Sequence, residues 1–354
     1  MAMTDAESQR SPRAVPAPTS MTDARSQLRA LVDVTHDDPL ASLALAPGKS
    51  HVFSADGSAA VSYRTVAGFA VVSGNPIGAP SAYRDAVLHF VALCHSHRWR
   101  IIVLGASDGL LPIWGDQRLV GQRLRAVPIG RDVVIDVDSF DLSGRRKRNL
   151  RQAVQRTHNA GVTTEVCSEQ DLSAKLRAEL LDVMRATSKS TAERGFSMAL
   201  GNTLSGGEPG IALIIARDRS GRVQGFQRYV IAGGGSDVSL ELPWRRPGAP
   251  NGTDERLSVE MAAWAQSTGA QRISLAFAPF SDLFTLSPAG HRGIRALRKL
   301  THLGDRFIRL ESLYRYLRKF NAMGGRRYVL LSPIHVVPAL IILLRLEFGP
   351  HNER

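Results

Sequence analysis

Ser239-Leu-Glu-Leu-Pro-Trp-Arg-Arg-Pro-Gly-Ala-Pro-Asn-Gly252 leads into a helical pattern, and Arg272-Ile-Ser-Leu-Ala-Phe-Ala-Pro-Phe-Ser281 follows it. The first stretch reads as a buried strand ending in a carboxylate, Glu241, with two arginines in the turn beyond. Leu257, Met261 and Trp264 then mark one face of a helix from about Thr253 to Ser267. Arg272–Phe277 reads as a second apolar strand, ending in a small-residue run that carries Ser281. Strand, helix, strand is the unit of an α/β fold, and the ends of such strands are a usual place for chemistry.

Upstream, Ile211–Ala216 and Val223–Val230 read as strands around a turn at Asp218-Arg-Ser-Gly221. A turn at Gly233–Gly235 leads to a third strand, Val238–Leu242. The same order occurs earlier in the chain. His51–Ser54, a turn at Asp56-Gly57, Ala59–Tyr63 and Phe69–Ser73 precede a helix from about Ala82 to His97. That helix carries Val87, Phe90, Val91 and Cys94 on one face, and Arg100–Leu104 is the next strand. Two α/β (α+β) units of mixed sheet flanked by helices are therefore expected, related by duplication. The expected boundaries are a disordered leader over 1–25, a first domain over 26–165, a helical linker over 166–205 and a second domain over 206–349. Leu172, Leu176, Leu180, Val183 and Met184 give the linker its helical stripe. Ahead of it, Asp141 or Ser143 is positioned to cap a helix running to Arg156.

Lysine and arginine outnumber acids 45 to 32, for a net charge of +13. Such an excess suits a polyanionic partner, a nucleic acid or an anionic membrane surface. The charge is clustered. Residues 144–157 hold six basic residues and no acid, among them Arg145, Arg146, Lys147, Arg148 and Arg151. His291–Tyr328 holds eleven against Asp305 and Glu311, with Phe307, Tyr314, Tyr316, Phe320 and Tyr328 interleaved. The charges are expected to bind phosphates and the aromatics to be core. Two cysteines, Cys94 and Cys167, give no disulfide framework and fit a reducing cytoplasm. Ile334–Leu346 is too short to span a bilayer and is interrupted by Pro338. It is expected to be a buried terminal helix, with a membrane-interface helix as the alternative. No Walker loop, dinucleotide fingerprint, nucleophile elbow, HExxH or CxxC pair occurs, which disfavours nucleotide hydrolysis, redox and zinc chemistry. No cofactor and no metal are expected.

Seven pieces in order resemble one family. They are Gly74-Asn-Pro-Ile-Gly-Ala-Pro80, Phe140–Val154, Glu193-Arg-Gly-Phe-Ser-Met198, Ser239–Gly252, Ala278-Pro-Phe-Ser281, Glu311-Ser-Leu-Tyr314, and Lys319-Phe320 with Arg327-Tyr328. Together they resemble the cytosolic catalytic domain of the bacterial lysyl- and alanyl-phosphatidylglycerol synthases, the multiple peptide resistance factor family. The resemblance spans about His51 to Leu346. It implies two tandem acetyltransferase-like (GNAT-like) domains. It also implies transfer of an aminoacyl group from aminoacyl-tRNA to a hydroxyl of phosphatidylglycerol, at the membrane's inner face, in antimicrobial peptide resistance.

By this resemblance Glu241 holds the α-ammonium or serves as base, Arg245 binds the terminal phosphate or developing charge, and Ser281 hydrogen-bonds the aminoacyl moiety. The plainer alternative for Glu241 is a rim salt bridge with Arg245 or Arg246. Asn75, Glu311, Lys319, Arg327 and Tyr328 are implied substrate-binding residues, and Arg145, Arg146, Lys147, Arg148 and Arg151 the tRNA-binding ones. The chain departs from the family's pattern in its glutamate where an aspartate stands, in Trp244 at an arginine position, and in Asn75 at an acidic one. A soluble or peptide acceptor, or a relative that binds tRNA or membrane without catalysis, are the alternatives.

Overall fold

Every strand expected in the two repeats forms, and local chemistry accounts for the turns between them. The computed structural model describes residues 21–188, 204–207, 209–279 and 313–348. Its strands are β1 (Ser50–Phe53), β2 (Ala59–Val66), β3 (Phe69–Ser73), β4 (Ile77–Gly78), β5 (Arg100–Ser107), β6 (Arg125–Asp136), β7 (Thr163–Ser168), β8 (Ile211–Arg217), β9 (Val223–Ala232), β10 (Asp237–Arg245), β11 (Arg272–Pro279) and β12 (Met323–Leu331). Its helices are α1 (Met21–Asp33), α2 (Tyr83–Ser96), α3 (Leu111–Gly115), α4 (Gln117–Val120), α5 (Arg148–Asn159), α6 (Ala174–Ser188), α7 (Thr253–Ser267) and α8 (Val336–Phe348). Residues 313–318 are also helical. Between β1 and β2, the Asp56 carboxylate accepts from the Ser58 N–H at 3.0 Å. Asp218 does the same for Ser220 at 2.9 Å between β8 and β9. Ala67 (φ 48°) and Gly68 (φ 78°) make the two-residue β2–β3 hairpin, which needs positive φ at both positions.

The two repeats are β1–β2–β3–α2–β5 and β8–β9–β10–α7–β11. In each, the first three strands run antiparallel, and the helix crosses over to a fourth strand parallel to the third. The repeats share one twelve-stranded sheet in the order β1-β2-β3-β5-β12-β6-β11-β10-β9-β8-β7, with β4 paired to β2. Its middle is an exchange. β6, from the first half of the chain, pairs with β11 of the second repeat, and β12, from the end of the chain, inserts between β5 and β6.

Apolar clusters cover both faces. α5 and α7 seal one face of the second repeat, burying Leu150, Leu257 and Met261 against Ile214, Tyr229 and Ile273. α6 seals the other, with Leu180 and Val183 on Leu213, Ile215 and Phe226. In the first repeat, α2 buries Val87, Phe90 and Cys94 on Val61, Val72 and Val103. Gly252, at φ 103°, begins α7, and a Cβ there would stand 2.5 Å from the Ala153 carbonyl oxygen, so glycine permits the close approach of α5.

Three expectations change. The segment 166–205 is not helical throughout, because Val166–Ser168 complete β7, which pairs antiparallel with β8. The basic helix begins at Arg148, not near Asp141. Asp141 spends its carboxylate on the Ser143 N–H (2.9 Å) and hydroxyl (2.8 Å), and Gly144 follows at φ 75°, so the chain turns before it coils. The terminal helix α8 is buried on one side only. Ala339, Ile342 and Leu346 pack on Phe69, Val71, Ile102 and Val329, while Ile334, Val337 and Ile341 face outward.

Candidate active site

The two parallel pairs differ where it matters. In the first repeat, β3 and β5 pair over five residues. The Gly74 N–H then donates to the Leu104 carbonyl at 2.7 Å. Asn75 donates to the Ser107 hydroxyl and accepts from the Ser107 N–H, each at 3.0 Å. The pair is closed to its end. In the second repeat, β10 and β11 pair over three residues, ending at Ser239 and Ser274. Beyond that, residues 242–245 pair with β9 and residues 277–279 with β6, each strand keeping an edge with no strand partner among the described residues. Pro243, which has no N–H, lies in this parted section, where a proline is tolerated as on a sheet edge. Unpaired edges of extended backbone are a template for an extended ligand.

Glu241 stands at the opening, in a bulge between Leu240 and Leu242. Leu240 faces the α7 cluster and Glu241 the opposite side. There it pairs with Arg228 of β9, whose Nε also bonds Glu169 at 2.6 Å. Glu169 is fully buried and accepts from the Gly206 N–H at 3.2 Å. One guanidinium thus lies between two carboxylates. Burial pushes the Glu241 carboxyl above its ordinary range, against the pull of Arg228. A raised, ion-paired carboxylate suits both proton transfer and the gripping of an ammonium group.

Glu241 does not meet Arg245 or Arg246. Arg245 reaches Asp254 at the start of α7 at 3.2 Å, and Arg246 pairs with Asp182 at 2.5 Å. The rim salt bridge expected for Glu241 is replaced by the buried one to Arg228. Trp244 packs on the α6 cluster. Arg228 and Glu169 escaped the sequence reading. The available signal was Arg228 itself, a charge inside the apolar strand Val223–Ala232, which demands a partner.

Four of the expected substrate-binding residues make contacts within the fold. Asn75 is the latch just described. Lys319 pairs with Glu255 of α7. Arg327 is 1% exposed and bonds Asp132 at 2.8 Å, Asp38 at 2.7 Å and the Gly105 carbonyl at 3.1 Å, tying β12 to β6, β5 and the segment after α1. The Tyr328 hydroxyl donates to Asp108 at 2.7 Å. Ser281, Glu311, Phe307 and Glu193–Met198 lie outside the described residues.

A cleft of about 360 Å³ adjoins this ion cluster. Asp37, Ser107, Asp132, Asp237, Arg272 and Ser274 are among its lining. It reaches the point where the parallel pair parts, since Ser274 belongs to the last register pair. Arg272 bonds Asp237 at 2.8 and 3.0 Å and also pairs with Asp37. Burial lifts the Asp132 carboxyl to about 6, with Arg327 pulling down and Asp38 pushing up. Of the basic helix start, Arg145, Arg146 and Arg148 face solvent. Lys147 donates to the Phe320 carbonyl and lies 4.5 Å from the Phe140 ring centre, and Arg151 donates to the Leu142 and Gly144 carbonyls.

Two repeats of antiparallel strands, crossover helix and parallel strand, one opened beside a buried carboxylate, define a tandem GNAT-like fold. The chain belongs to the family described as phosphatidylglycerol lysyltransferase, C-terminal, whose profile matches residues 29–331. It is 57% identical over 325 residues to the MprF-like domain protein Rv1619 of Mycobacterium tuberculosis, covering 92% of this chain and 67% of that one. It is 34% identical over 316 residues to the lysylphosphatidylglycerol biosynthesis bifunctional protein LysX of Mycobacterium avium, covering 88% of this chain but 26% of that protein. Among solved structures, the C-terminal domain of a putative lysylphosphatidylglycerol synthetase from Agrobacterium fabrum has the same fold. Its TM-score is 0.77 at 22% identity, over 94% of this chain and all of that one.

Proposed function

We propose that this chain is an aminoacyltransferase that takes an amino acid from aminoacyl-tRNA and passes it to a hydroxyl of a membrane lipid such as phosphatidylglycerol. The observation that carries the reading is the parted β10–β11 pair with Glu241 in its bulge. The acceptor oxygen forms the new bond to the ester carbonyl carbon, and the bond to the tRNA 3′ oxygen breaks. Glu241 takes the acceptor's proton and returns it to the leaving oxygen, while strand-edge N–H groups steady the oxyanion. The solvent-facing Arg145, Arg146 and Arg148 support a tRNA donor. Among the described residues no helix is long and apolar enough to cross a membrane. The lipid contact proposed is peripheral, on the cytoplasmic side.

The test supplies the full chain with tRNA carrying radiolabelled amino acids and with phosphatidylglycerol vesicles. Labelled lipid is expected, and Glu241→Gln is expected to cut its rate by roughly 100-fold or more. No labelled lipid from any charged tRNA overturns the reading. Transfer to a soluble acceptor is the second reading, favoured by the cleft's aspartates and arginines, which suit a small polar molecule better than an acyl chain. Label appearing in a water-soluble product selects it.

A further inference from the structure

Seven large apolar residues are exposed among those described, and five gather in one place. Ile334 (86% exposed) leads into α8, Val336, Val337 (69%) and Ile341 (49%) lie on it, and Val127 is on β6 beside it. Val127 is the register partner of Val329, which packs under α8, so the two side chains share a face. Arg125 is likewise partnered with Leu331 on that face. Arg100 is partnered with Phe69, with its guanidinium 5.5 Å from the Phe69 ring centre, and that ring meets His335 edge-on. Both arginines are exposed. An apolar stripe is thus rimmed by two cations. α8 has 13 residues and is about 20 Å long. That is too short to span a hydrocarbon core of about 30 Å but sufficient to lie along its surface.

We infer that this face is a docking surface for an anionic lipid bilayer. Ile334, Val337 and Ile341 enter the headgroup boundary, and Arg100 and Arg125 meet lipid phosphates. The inference rests on the lipid acceptor proposed above and names the surface that brings the protein to it. The apolar residues supply partitioning that salt does not screen, and the arginines supply a preference for negative lipid that salt does screen.

Co-sedimentation of the full chain with extruded vesicles tests this, using phosphatidylcholine alone or mixed equally with phosphatidylglycerol. Binding to the mixed vesicles is expected. Val337→Asp with Ile341→Asp is expected to weaken it by roughly tenfold or more, with circular dichroism and melting unchanged. Should that pair disturb folding, Val337→Ser with Ile341→Ser gives the same comparison. Arg100→Gln with Arg125→Gln is expected to lower binding to the mixed vesicles by roughly tenfold and to flatten its salt dependence. Binding by the aspartate variant equal to the parent's overturns the inference. So does a parent dimer that the variant splits into monomers, since the face then joins two copies of the chain. Transfer to phosphatidylglycerol in detergent micelles separates the two readings, because it needs no docking and is expected to survive in the aspartate variant. A parent protein that makes no aminoacyl lipid in either format, yet binds vesicles through α8, sinks the transfer reading and leaves the docking surface standing.

Discussion

Arg228 holds two carboxylates, Glu169 and Glu241, inside the sheet, and its removal strands both. Arg228→Ala is expected to cost about 3–5 kcal/mol of stability, the usual penalty for breaking a buried pair from one side, measured by urea unfolding. Asp132 gives a pH signature. Its folded-state value of about 6 lies above the ordinary 3.8, so the folded state binds the proton more tightly than the unfolded one. That contribution is complete below pH about 4 and is lost as pH rises through about 6. Two units correspond to about 3 kcal/mol. Burial lowers His51 to about 4, which gains stability over the same range, so the loss is read as a difference: the stability gap between the parent and Asp132→Asn is expected to shift by this amount between pH 4 and pH 7 in urea unfolding. Neither site could be read from spacing. Arg228 is 13 residues from Glu241, and Arg327 is 195 from Asp132, so only the pairing of strands brings them together.

The expected strands and helices of the repeats are the elements that form, because each carries its own period. Val87, Phe90, Val91 and Cys94 repeat as a helix face does, and the apolar runs of β8 and β9 are bounded by Asp and Gly turns whose hydrogen bonds are local. α5 starts later than its sequence suggests because Asp141 offers a cap and a tight turn equally, and Gly144 decides for the turn. The closed end of the first parallel pair hangs on a side chain. Asn75→Ala is expected to lower stability by about 1–2 kcal/mol through the lost Ser107 bonds while leaving the KM for charged tRNA unchanged. A raised KM would restore Asn75 to substrate binding.

For the whole molecule, the net charge of +13 is spent in two ways. Lys147, Arg228, Arg272 and Arg327 tie segments together, whereas Arg145, Arg146 and Arg148 face water. Composition reported the excess but not this division, which depends on which arginines find carbonyls and carboxylates once the sheet closes. Replacing the three solvent-facing arginines by glutamine is expected to lower the slope of log affinity for tRNA against log salt by about three, seen in filter binding at several ionic strengths. The order of the sheet was equally hidden, since β12 lies more than two hundred residues from the β5 edge it covers. That exchange governs how the chain matures on the ribosome. β5 and β6 are synthesised long before the strand that belongs between them. Until β12 is made, the first repeat holds two adhesive borders uncovered, an interval in which exposed strand edges favour aggregation.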